Sequence, residues 1–306
     1  MTSRTDALET LLAAIREDRA SGAAELADRG VAAMAQGVAD LARAGPQERR
    51  VGAVRLLRRA AGQRPSRAPA ATCTLPSSRP LADAGPPPPA EGRGGAGEAA
   101  RLLRAERAGF RDGLRAAARQ PLSGARHVVT LSWSSTVLDL LLAAAPAARV
   151  TVAEARPRCE GRVLAERLLN RGRRVELITD AQLALAVDAA DLVLIGTDTI
   201  CRDGAAVNKA GSRLAALAAR AAGKPFLVAA DSYKINPRAG AGSLPLEAMD
   251  PAELWPERPE ICTNVYFEPV PAELLSLYIT ERGALGPEGI GALVADWRAR
   301  YAAAGL

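Results

Sequence analysis

LVLIGTDTICRDGAAVNKAGS, Leu192–Ser212, decides the fold. Its opening, Leu192-Val193-Leu194-Ile195, is apolar without alternation, the pattern of a strand covered on both faces. The run stops at Gly196-Thr197-Asp198, a polar turn follows at Asp203-Gly204, and Asn208-Lys209 open an alanine-rich helical pattern. A buried strand feeding a helix through a polar loop is half of a right-handed βαβ unit.

Working outward, four more short apolar runs flank it: HVVTLSW (127–133), RVTVAEA (149–155), RVELIT (174–179) and PFLVAA (225–230). Helical segments separate most of them, EGRVLAERLLNRG (160–172) and VNKAGSRLAALAARAAGK (207–224) being the clearest. Repeated strand–helix alternation predicts a mostly parallel sheet, so the fold class is α/β. Upstream the character changes. Residues 1–62 read as an N-terminal helical domain, with Thr5 or Asp6 as an N-cap and Pro46 at a helix-opening position. Residues 63–97 are a Pro/Gly-rich loop or linker, because Pro86 to Pro89 fit neither a helix nor a central strand. Residues 98–121 are a connecting helix stopped at Pro121, and 122–306 a Rossmann-like domain. Gly92, Gly94 and Gly97 spell G-x-G-x-x-G, but they follow polyproline instead of a strand, so they are no dinucleotide site.

In parallel α/β sheets, ligands lie beyond the carboxyl ends of the strands. The loops there carry Ser132, Ser134, Arg156, Asp198, Asn208, Lys209 and Lys234. Asp198, at the mouth of a buried strand, is the candidate general acid/base. Asn208 and Lys209 at an expected helix start, Lys234 after the next strand, Arg156, and the Ser132–Thr136 turn with Ser134 suit an anion. The residues alone thus point to a small phosphorylated ligand.

Composition narrows the classes. The 306 residues are 48% hydrophobic but only 3% aromatic, so the core must be built from Ala, Leu and Val. No run reaches transmembrane length and no signal-peptide pattern opens the chain, so no membrane partner and a cytoplasmic location are expected. The net charge of +6 and the arginines of residues 47–64 lack interleaved aromatics, which argues against nucleic acid as a partner. The four cysteines form no C-x-x-C pair and His127 is the only histidine, so neither a Cys/His metal site nor a disulfide framework is expected. With the G-x-G-x-x-G set aside, no cofactor is expected either. His127, at a strand entry, reads as a structural or edge residue. Cys159 and Cys201 fall on the ligand edge and read as buried structural thiols.

VAEARPRCEGRVLAERLLNRGRRVELITD, VLIGTDTICRDGAAVNKAGS, PFLVAADSYK and YITERGALGP, in this order and spacing from Val128 to Pro287, resemble the motifs of one superfamily. It holds the alpha, beta and delta subunits of eukaryotic initiation factor 2B, ribose-1,5-bisphosphate isomerase and methylthioribose-1-phosphate isomerase. The resemblance implies an N-terminal helical domain on a Rossmann-like domain, a homodimer or larger assembly, and a phosphorylated sugar or nucleotide ligand. It implies aldose–ketose isomerisation by a cysteine and an aspartate, or else a non-catalytic regulatory role. Asp198 matches the aspartate, Asn208 and Lys209 the phosphate-contacting pair, and Lys234 a lysine after the next strand. The isomerases carry T-H-C-x-S after the first strand; here it is Thr130-Leu131-Ser132-Trp133-Ser134, with Ser132 in the cysteine's place.

Overall fold

The computed structural model describes residues 109–303 except 245 and 247. The expected helical domain (1–62), the linker (63–97) and the first part of the connecting helix lie outside the described residues. The rest of that helix, α1, is helical over 109–118 and ends just ahead of Pro121, as expected of a residue that cannot continue it.

Each strand of the main sheet is an apolar run ended by a polar or glycine-containing loop. In chain order they are β1 (His127–Leu131), β2 (Arg149–Ala153), β3 (Val175–Ile178) and β4 (Leu192–Gly196), followed by β7 (Phe226–Ala229), β10 (Leu277–Thr280) and β11 (Gly283–Leu285). They lie in the order β11-β10-β7-β4-β1-β2-β3, all parallel except β11, which runs antiparallel to β10. The chain builds outward from β1 to β3, then returns to lay β4 on the other side of β1. The β1/β4 boundary is therefore the topological switch point, the place where open α/β sheets bind their ligands beyond the strand ends.

Helices cover both faces, which explains the continuous apolar strands. One core joins Val129, Leu131, Val193, Ile195 and Val228 to α4 (Leu183–Asp188), α5 (Ser212–Ala221) and α6 (Pro287–Ala303). The other joins Val128, Val150, Val152, Leu192, Leu194 and Leu227 to α1, α2 (Ser135–Ala144) and α3 (Gly161–Leu169). Successive residues of one strand serve opposite cores, as the period of two requires. β3 lies at the sheet edge, and its Glu176 and Leu177 are exposed.

A second sheet was not legible in the sequence. β5 (Thr199–Cys201), β6 (Ala206–Lys209), β8 (Ile235–Asn236) and β9 (Phe267–Val270) lie in the order β8-β5-β6-β9. Asp203-Gly204 do make the reversal between β5 and β6, with Gly204 at φ +79°. The helix expected to open at Asn208 starts only at Ser212. Asn208 and Lys209 are strand residues, paired with Glu268 and Phe267 of β9. That partner lies far along the chain, so local periodicity could not reveal it.

Candidate active site

Ser132 follows β1 directly and is buried, on a left-handed backbone with φ +62°. Its N–H donates to Ala153 O at 3.3 Å, which ties the end of β1 to the end of β2. Such a backbone costs a non-glycine residue about 1–2 kcal/mol and is kept where surrounding structure holds it. Among the described residues, positive φ at a non-glycine also occurs at Ala155 (+62°) and Cys159 (+56°), in the loop after β2. All three strained residues thus border the ligand edge.

Ser134 caps α2, its Oγ accepting from Val137 N at 3.2 Å. β1 and β4 pair Val128 with Leu192 and Val129 with Val193; the same register carried forward sets Ser132 beside Gly196. A Cβ on Gly196 would fall 2.6 Å from Ser134 Oγ, so a larger residue there would push on the side chain that caps α2. Thr197 and Asp198 follow at once. Thr197 Oγ1 lies 2.7 Å from Val207 O and 2.8 Å from Thr199 O, and Asp198 N donates to Val207 O at 2.9 Å. Asp198 is half-buried. Lys234, buried in a single 3₁₀ turn after β7, donates from Nζ to Thr197 O at 2.5 Å. The sequence-selected Ser132, Ser134, Asp198 and Lys234 therefore gather at the switch point.

The loop after β2 bears Arg156, exposed at the rim. Asp180, following β3, holds this loop: its two oxygens accept from Ala155 N at 2.8 Å and Arg156 N at 2.7 Å. Lys209 is not at a helix start and not open to solvent. Its Nζ lies 3.0 Å from Glu160 Oε2 and 3.9 Å above the Tyr266 ring. Asn208 donates to Ser212 Oγ at 2.9 Å. The N-terminus of α5, expected to present free N–H groups to an anion, is already served by a carboxylate. Glu268 Oε1 accepts from Gly211 N at 2.7 Å and Arg213 N at 2.9 Å. Asp180, Glu160, Glu268 and Tyr266 escaped the sequence reading because each acts through a partner distant in the chain.

Cys201 lies within β5, where burial pushes its thiol up to about 12, so it stays protonated at neutral pH. Cys159 Sγ donates to Pro157 O at 3.7 Å. His127 starts β1, at the sheet edge opposite the crevice. Its Nε2 lies 2.8 Å from Thr151 Oγ1 and its Nδ1 2.9 Å from Ala189 O and 3.0 Å from Arg149. That agrees with a structural role. Among the described residues no helix is long and apolar enough to cross a membrane.

Ribose 1,5-bisphosphate isomerase from Archaeoglobus fulgidus is 38% identical over 146 residues, 45% of this chain and 46% of that protein. A protein named translation initiation factor eIF-2B subunit 2-like, from Pyrococcus abyssi, is 35% identical over 163 residues, 52% of this chain and 58% of its own. The chain thus spans about half the length of the curated relatives it matches. Among solved structures, a Pyrococcus horikoshii translation initiation factor eIF-2B superposes with a TM-score of 0.76 at 28% identity, covering 92% of this chain and 98% of that one. The model of the Initiation factor 2 subunit family matches residues 1–287, well over half the chain, and so the chain belongs to that family.

Proposed function

We propose that this chain binds a phosphorylated pentose at the β1/β4 switch point, as an isomerase-like member of its family with Ser132 where the isomerases carry cysteine. The observation that supports this most is the meeting of strained, buried Ser132 with the Gly196–Asp198 turn, which Lys234 braces from below. In this reading the sugar ring opens. The ring C1–O4 bond breaks and O4 takes a proton on the Ser132 side, the hydrogen on C2 moves to C1, and the O2 hydroxyl gives its proton to the Asp198 carboxylate as C2 becomes the ketone, the 1-phosphate staying on O1. Arg156, Asn208, Lys209, Lys234 and Ser134 serve the phosphate, and no cofactor or metal takes part. The working unit is a homodimer or larger assembly.

The test is a thermal-shift series with ribose 1,5-bisphosphate, methylthioribose 1-phosphate, pentose monophosphates and nucleotides, followed by NMR of the bound sugars. Binding raises the melting temperature with ligand concentration. Asp198→Asn is expected to keep the fold and lose any turnover. No shift with any of these ligands would overturn the reading.

Ser132 itself favours a second reading, a non-catalytic regulatory subunit of the initiation factor 2B type. A hydroxyl with no activating base is a far weaker proton donor and nucleophile than a thiol. Turnover by the unmodified protein excludes this second reading. Turnover restored by Ser132→Cys favours a relic isomerase over it.

A further inference from the structure

We propose that Glu160 is an internal stand-in for phosphate: it holds the Lys209 ammonium in the unliganded protein, and a phosphorylated ligand displaces it. This rests on the reading of the crevice as a phosphate site. Lys209 is only 4% exposed, and its Nζ lies 3.0 Å from Glu160 Oε2. Both atoms are shut off from solvent, yet neither makes a hydrogen bond among the described residues. The ammonium has three N–H donors, and a misaligned ion pair satisfies none of them. A buried pair made to be permanent needs further hydrogen bonds around it to offset desolvation. The atoms around this one supply a ring face, that of Tyr266 at 3.9 Å.

The two partners are not equally fixed. Lys209 is a strand residue paired with Phe267, and the Tyr266 hydroxyl is tied to the Glu253 carboxylate. Glu160 ends the loop that contains Ala155 and Cys159 at positive φ. It precedes α3 without making a side-chain cap bond, and its side chain is 29% exposed. The acid is therefore the partner that can leave. A phosphate group offers several strong acceptor oxygens to the unmet donors, and its charge repels a carboxylate in the same place. Ligand entry then moves residues 154–160, the loop that carries Arg156, so the arginine reaches its place only when phosphate has replaced Glu160.

Calorimetric titration of the wild type and Glu160→Gln with ribose 5-phosphate and with inorganic phosphate tests this. The glutamine variant is expected to melt at a lower temperature without ligand and to bind ribose 5-phosphate about tenfold tighter, since a like charge has gone. Equal or weaker binding by the variant, with the wild type binding, overturns the inference and leaves the phosphate reading standing. Binding of neither probe by either protein overturns both. A second measurement needs no variant: hydrogen exchange over residues 155–161 of the wild type is expected to quicken when ribose 5-phosphate is added. Unchanged exchange in the ligand-saturated protein overturns the displacement.

Discussion

Glu281 shows how one residue ties the crevice to stability. It follows β10, with a side chain only 6% exposed, and accepts from Ser232 N at 2.9 Å and Ser232 Oγ at 2.5 Å. Burial raises its pKa above the usual carboxyl value, and the nearby Asp231 adds to this, against the pull of the Ser232 hydrogen bonds. The folded protein therefore holds a proton that the unfolded chain has released. That contribution is fully present below the unfolded pKa and is lost as pH rises through the higher folded one. Urea midpoints of the wild type should therefore fall as pH rises above the ordinary glutamate value of about 4.3, and Glu281→Gln should flatten that slope. An unchanged slope in the variant would remove Glu281 as the cause. Ser232 opens the turn that ends at Lys234, so this carboxyl also steadies the lysine under Thr197. The sequence marks Glu281 only as a charge after a strand; its burial comes from packing.

At the scale of elements, the decisive piece is the loop from β2 to α3. Gly161 opens α3, and its N–H donates to Glu154 O at 2.9 Å. A Cβ there would lie 2.1 Å from Ala153 O, backbone that cannot step aside. Gly161→Ala should cost about 3 kcal/mol or more in chemical denaturation, at the upper end for overpacking. A cost below about 1 kcal/mol would mean that the loop is freer than its contacts imply. The apolar runs of β1, β2, β4 and β7 and the turn at Asp203-Gly204 were legible because their signals are local. The position of Asn208-Lys209 was not. AVNK continues smoothly into a helical pattern, and only the pairing with β9 makes it a strand.

At the scale of the molecule, both ends of the described chain close on the crevice loops. Phe110 of α1 packs tilted against Tyr233 with ring centroids 5.2 Å apart, and Tyr233 tilted against Trp297 of α6 at 5.4 Å. Tyr233 and Trp297 are buried and Phe110 packs against the same core. Few other aromatics exist in a chain that is 3% aromatic, so this trio holds a large share of the apolar contact at that corner. Trp297→Ala should cost about 3–5 kcal/mol of unfolding free energy, read from denaturant midpoints. Because Tyr233 adjoins Lys234, it should also weaken any sugar-phosphate binding. Full-strength binding in that variant would separate the cluster from the site.

The stretch Leu192–Ser212 by itself determined a buried parallel strand, a polar loop at its carboxyl end and an acid at its tip. Those follow from burial and backbone freedom within a few residues. The tertiary structure alone decided that β4 lies against β1, so that Asp198 follows a strand end set beside Ser132. It also decided that Lys209 faces Glu160 and that Glu268 fills the start of α5. These are encounters between residues far apart in the chain. Their energies exist only once the sheet order has closed, and no local pattern records them.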